Sequence, residues 1–238
     1  MLTLEVRYGG ERLLPAGRFT TSAKGILRTL TVAELPPPAP SHDLNDGHLH
    51  DGVPSGLVTS RGARRNGIEH TKDGFVTRGV LLDVPGKKWL DPGYPITIAE
   101  LEECAMREGV SVGSGDALLV RTGHQALCRE AGSWAGYAGG GAAGTPLETT
   151  RWLHGHEVCA IAIDALPWRC GPNEPANALQ PLHMVLIRDM GMSVDEISYL
   201  DHLADDCAED GVWEFMFVAP SLPFTSASGS PANPIAVK

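Results

Sequence analysis

The sequence predicts an α/β fold, its 238 residues fitting one large domain or two small ones. Three observations carry this reading. Short runs rich in Leu, Val and Ile recur at "GVLLDVP" (79–85), "GDALLVRTG" (115–123) and "VCAIAID" (158–164), the texture of strands buried on both faces. Helical patterns with recognisable start and stop residues lie between and after them. A last apolar stretch, "VWEFMFVAP" (212–220), mixes aromatic and β-branched residues as strands do. Strands that alternate with helices indicate an α/β fold.

Taken in chain order, residues 1–60 are Pro-rich and weakly periodic, and "LPPPAP" (35–40) interrupts any element. "TLEVRYGG" and "GRFTTS" are candidates for short strands there. Residues 61–74, "RGARRNGIEHTKDG", read as a polar, basic loop or a surface helix. The first buried strand ends at Pro85. "TIAELEECAMREG" is a helix with a capping box, Thr97 as N-cap and Glu100 three residues on, and Gly109 as its stop. Ile98, Leu101 and Ala105 form its apolar stripe. After the second strand, "GSWAGYAGGGAAG" (132–144) is a Gly-rich loop without the G-x-x-x-x-G-K-[ST] order of a phosphate cradle.

"TPLETTRWLHGHE" predicts another helix, with Thr145 capping, Pro146 at its first position and Glu148 closing the box. The third strand follows, then the apolar run "PLHMVLIRDMG" (181–191). "SVDEISYLDHLADDCAEDG" reads as a helix with Ile197, Leu200, Leu203 and Ala204 on one stripe and Gly211 as stop. The tail "SGSPANPIAVK" reads as irregular.

Composition narrows the function classes. The 238 residues carry a net charge of −10, which argues against general nucleic-acid binding. Five cysteines, none in C-x-x-C spacing, argue against a disulfide scaffold and read as small buried hydrophobes. No signal peptide and no membrane span is expected, and a cytoplasmic protein is the default.

The densest chemistry lies at "SHDLNDGHLHDG" (41–52), with three histidines and three aspartates between His42 and Asp51. Such a cluster is a metal site, a proton-transfer site or a polar loop. Asp46 and His50 form the pairing with a division of labour: a carboxylate binds a divalent cation and an imidazole moves protons near neutral pH. His183 and Glu196 are a second candidate pair. On position alone His183 reads as a core histidine. Glu196 makes S-x-x-E with Ser193, the capping box of the last long helix.

A resemblance adds to this. "RGVLLDVP", "GDALLVRTG", "PLHMVLIRDMGMSVDEISYL" and "EFMFVAPSLPFTSASGSPANPIAVK" resemble the cyclase family of metal-dependent hydrolases, which includes bacterial kynurenine formamidase and isatin hydrolase. "DG" (51–52), "LVTS" (57–60) and "ARRNGIEH" (63–70) follow the order of one subfamily. The resemblance spans roughly residues 46–238, which are taken as the hydrolase domain, with residues 1–45 a divergent N-terminal segment.

It implies a single α/β domain of the swivelling β/β/α type, with a mixed sheet that closes toward a barrel and is flanked by helices, a homo-oligomer of two or more chains, Zn or Mn, and hydrolysis of a small amide, formamide or cyclic amide, as in tryptophan catabolism. It also implies residue roles. Asp46, His183 and Glu196 correspond to metal ligands and His50 to the proton-transfer histidine. The family motif H-x-G-T-H-x-D-x-x-x-H is incomplete, because its first two histidines fall on Pro40 and Leu44. His42 and His48 are the nearby substitutes. The alternative is a pseudoenzyme that keeps the fold and a binding or structural role. Trp89, Trp134 and Trp168 are candidates either for an aromatic-substrate pocket or for core packing.

Overall fold

The structure is a computed structural model, and it describes residues 7–8, 11–12, 47–71, 75–86, 88–135, 137, 141–166 and 181–238. Asp46, His42, Trp168 and Cys170 lie outside the described residues.

Two short strands, β1 (Arg7–Tyr8) and β2 (Glu11–Arg12), pair antiparallel, the first within the "TLEVRYGG" candidate. A second small hairpin joins β3 (Val58–Thr59) to β4 (Gly62–Ala63). The basic stretch after it is loop with one 3₁₀ turn, Ile68–Thr71.

The main sheet is built from β5 (Val76–Asp83), β6 (Ala117–Arg121), β7 (Ala160–Ile163), β8 (Ser193–Asp195), β9 (Glu214–Val218) and β10 (Ile235–Val237). Their order is β10-β9-β5-β6-β7-β8, with β5 to β8 parallel and β9 and β10 antiparallel. Among the described residues this sheet is open, with β10 and β8 as its edges. The expected mixed α/β sheet is present, and closure toward a barrel is not.

Side-chain alternation explains why the central strands read as continuous apolar runs. Val80, Leu82, Leu118, Val120, Ile161 and Ile163 face one core, where α1 (Ile98–Glu108) and α3 (Thr149–Gly155) bring Leu101, Cys104, Trp152 and Leu153. Leu81, Ala117, Leu119, Ala160 and Ala162 face the other, with Leu200, Ala204 and Cys207 around α5 (Asp201–Asp210). Cys104, Cys128, Cys159 and Cys207 are all buried and free, as expected of small hydrophobes.

The capping box of α1 is formed, with Thr97 accepting from the Glu100 N–H and Glu100 accepting from the Thr97 N–H; Gly109 ends the helix in the left-handed conformation. Two other expected caps are not formed. α3 starts at Thr149, after turns at Leu147 and Glu148, and Thr145 is buried ahead of it. Ser193 does not begin the last helix. Its N–H goes to the Cys159 carbonyl and it opens β8, so the helix starts at Asp201 instead. α2 (His124–Ala131) and β10 appear where the sequence predicts neither. Among the described residues no helix is long and apolar enough to cross a membrane.

Candidate functional site

In open sheets of this kind, ligands bind beyond the carboxyl ends of the parallel strands. Here those ends gather Thr122, Gly123 and His124 after β6, Asp164 after β7, and Glu196, Ile197 and Ser198 after β8.

Asp164 organises the β6 end. Its carboxylate accepts from the Thr122 N–H at 2.8 Å, the Thr122 hydroxyl at 2.7 Å and the Gly123 N–H at 2.8 Å. Burial pushes its carboxyl upward in pKa, and these three donors work against that shift. Gly123 has φ +77°, and a Cβ there would lie 2.1 Å from the Lys88 carbonyl oxygen. Gly123→Ala should therefore destabilise the fold by at least about 2 kcal/mol in urea unfolding, from the left-handed backbone and the clash together.

α4 (Pro181–His183) runs directly into a π-helical segment, Met184–Asp189. π-helical turns of this kind often occur at functional sites. His183 is buried on this helix, and its Nε2 lies 3.1 Å from Glu196 Oε1. The two residues are 13 apart in sequence and meet because the chain passes through Gly191 and β8 between them.

Glu196 is followed by Ile197 at φ +66°, a region a β-branched residue rarely enters. This turn is tied down. The Ile197 N–H donates to the Ala165 carbonyl, the Ser198 N–H donates to the Ile163 carbonyl, and the Gln125 side-chain amide donates to the Ile197 and Ser198 carbonyls at 2.9 and 3.1 Å. Gln125 also donates to the Tyr137 hydroxyl, which in turn donates to the Asp164 carbonyl at 2.9 Å. Burial raises the Tyr137 pKa to about 12, and the nearby Asp164 and Glu196 charges add to the shift while the Gln125 hydrogen bond opposes it.

The neighbouring carboxylate, Asp195, faces elsewhere. It accepts from the Ser198 hydroxyl at 2.7 Å and lines a cavity of about 200 Å³ with Phe75, Ala160, Ala162 and Phe217, on the sheet face away from α1.

His50 is held at the opposite end of the His183 helix. Its Nδ1–H donates to the Arg188 carbonyl at 2.9 Å, which leaves Nε2 as the lone-pair nitrogen. Its ring packs on Gly191, where an added Cβ would come within 2.5 Å of the imidazole. His48 is exposed and bridges to Pro54. Trp89 is half-buried and Trp134 is exposed, its ring edge-on to Tyr137 at 5.3 Å between centroids.

Of the residues singled out in the sequence, His183 and Glu196 are thus brought together, and His50, on a separate 3₁₀ turn, packs against the far end of the helical segment that carries His183. Among the described residues no three His, Cys, Asp or Glu side chains converge as a metal-binding group. The donor chemistry of the pair still suits a divalent cation. Two adjacent ligands about 2.0–2.1 Å from Zn in a tetrahedral shell are separated by roughly 3.3 Å, close to the His183–Glu196 spacing. Sequence reasoning did not single out His124, Gln125 or Asp164. The available signal was their position at the carboxyl ends of two predicted buried strands.

Comparison with known proteins agrees with this architecture. The Cyclase family model matches residues 39–168. A crystal structure described as a novel cyclase is 34% identical, covers 84% of this chain and 68% of its own, and superposes with a TM-score of 0.73. An isatin hydrolase bound to the product analogue thioisatinate is 17% identical, with 67% of this chain and 58% of that one covered and a TM-score of 0.52. Isatin hydrolase A from Ralstonia solanacearum is 19% identical, with 69% and 61% covered and a TM-score of 0.54. The chain therefore spans less than two thirds of either isatin hydrolase, and at these identities the likeness is one of fold. No curated protein sequence matches the chain significantly. With more than half of its length matched by the family model and a 34% identical relative across most of it, the chain belongs to the cyclase family.

Proposed function

We propose that the protein is a metal-dependent hydrolase of a small amide, formamide or cyclic amide, working as a homo-oligomer. The observation that carries this reading is the 3.1 Å approach of His183 to Glu196 at the carboxyl edge of the parallel sheet. Family membership and the isatin hydrolases that share the fold support the same class of chemistry.

On this reading a Zn or Mn ion is held by His183, Glu196 and Asp46, with His42 or His48 in place of the missing motif histidines. When bound, such an ion lowers the pKa of a coordinated water and stabilises developing negative charge on a carbonyl oxygen. The chain's own contributions are distinct. His50, its Nδ1–H anchored on Arg188, presents Nε2 to accept and return a proton. Gln125 and the left-handed turn at Ile197 fix the direction from which Glu196 reaches His183.

The first test is turnover. Formanilide should be hydrolysed to formate and aniline, the rate should vanish with chelator, and Zn²⁺ or Mn²⁺ should restore it. His50→Ala should retain metal yet lose about 100-fold or more in kcat. An unchanged rate would remove His50 from proton transfer.

A second reading, a pseudoenzyme with the same fold, is favoured by one observation: two histidine positions of the family's metal motif fall on Pro40 and Leu44, whose side chains cannot bind a metal. Metal binding without turnover of any amide, or no metal binding at all, would support it.

A further inference from the structure

His124 is the first residue of α2 and stands at the carboxyl end of β6. Its side chain is 94% buried, with a relative exposure of only 6%. Both ring nitrogens are shielded from solvent, and among the described residues neither has a hydrogen-bond partner. Buried polar groups are nearly always satisfied, and leaving one unsatisfied costs roughly 1–3 kcal/mol. A core position with no polar partner would favour Phe or Leu over an imidazole.

The placement of the ring narrows its purpose. It stacks on Tyr137, with centroids 5.1 Å apart and planes 25° apart. Tyr137 in turn lies close enough to feel the charge of Glu196, and its hydroxyl is tied through Gln125 to the turn that follows Glu196. His124 therefore stands on the same edge of the sheet as the His183–Glu196 pair, linked through Tyr137 and Gln125 to the turn that follows Glu196. Burial lowers its pKa, so the ring is neutral near pH 7 and offers one N–H donor and one lone-pair acceptor.

We propose that His124 is a substrate-binding residue of this site, its imidazole making a hydrogen bond to the carbonyl or N–H of a bound neutral amide. The inference rests on the amidohydrolase reading and deepens it. An uncharged, desolvated imidazole rewards a neutral carbonyl or amide, and gives no ion-pair partner to a carboxylate. It makes His124 a specificity element rather than a proton carrier. A site built to hydrogen-bond a ligand group discriminates strongly against analogues that lack that group, because its own polar atom is then left unpaired.

The test is binding of formanilide, a neutral aromatic formamide, followed by calorimetry and by the imidazole ¹⁵N signals of the metal-loaded protein. Formanilide at saturation should shift the His124 ring nitrogens, assigned by their loss in His124→Phe or His124→Gln. His124→Phe keeps the stack on Tyr137 and removes the hydrogen bond, so it should weaken formanilide at least tenfold while metal content and fold are retained. His124→Gln, which keeps hydrogen-bonding capacity, should recover part of that loss and serves if the Phe variant does not fold.

Unshifted ring nitrogens, or equal affinity in the folded variants, would overturn the proposal. Failure of the wild-type protein to bind formanilide would overturn it too. Metal stoichiometry separates this from failure of the broader reading: a protein that holds metal but binds formanilide equally well without His124 loses only the His124 assignment.

Discussion

Replacing Glu196 with alanine should abolish stable metal uptake, weaken metal affinity by more than about 100-fold and lower amide turnover by about 10³-fold or more. Glu196 is half-buried, points at His183 across 3.1 Å and is aimed by a turn held at both of its following carbonyls. No helix starts at Ser193, so the capping role that the S-x-x-E pattern suggests is absent and cannot account for the residue. A purely structural glutamate would give a different result: a lower Tm with metal binding intact. Glu196→Gln separates the two further, since it keeps the shape and removes the negative charge a cation needs.

The second large effect concerns stability. Arg78 lies on β5, 95% buried, and spans three elements. Its guanidinium pairs with Asp116 at 2.9 Å just before β6 and with Glu214 at 2.7 Å at the start of β9, and donates to the Ser111 carbonyl at 2.9 Å. Arg78→Met leaves two largely buried carboxylates facing an apolar chain. Removing one partner of such a cluster costs about 3–5 kcal/mol. Thermal unfolding should show this as a Tm lower by roughly 10 °C or more. Asp116→Asn should cost less, because Glu214 and Ser111 still engage the guanidinium. A loss below about 1 kcal/mol for Arg78→Met would mean that water reaches the carboxylates and screens them.

The contrast between these residues shows what a sequence exposes and what it conceals. The α1 helix was legible because its signals are local: Thr97, Glu100 and Gly109 sit in fixed register with an apolar stripe. The central strands were legible because burial on both faces leaves an uninterrupted apolar run. Glu196 was misleading for the converse reason. Ser193 and Glu196 have capping-box spacing, yet the pairing of β8 with β7 outweighs it, and that pairing depends on Cys159, far away in the chain.

α2 was hidden because the residues it buries, His124, Gln125 and Cys128, break the apolar pattern that marks a helix, two of them being polar. β10 was hidden in a tail whose prolines read as irregular, and it forms only because β9 offers an edge. The barrel closure implied by resemblance has no counterpart in the open sheet among the described residues. The His183–Glu196 meeting itself could be anticipated only through the family resemblance, since spacing by itself favours a core histidine and a helix cap.

Metal stoichiometry is the most direct test of the His183–Glu196 pair as part of a metal centre. The purified protein, loaded with Zn²⁺ or Mn²⁺ and freed of excess ion, should retain at least one equivalent per chain by elemental analysis, and Glu196→Ala should retain almost none. Less than one equivalent in the wild-type protein would contradict the hydrolase reading and leave the His183–Glu196 pair as an ordinary buried contact in a catalytically silent member of the family.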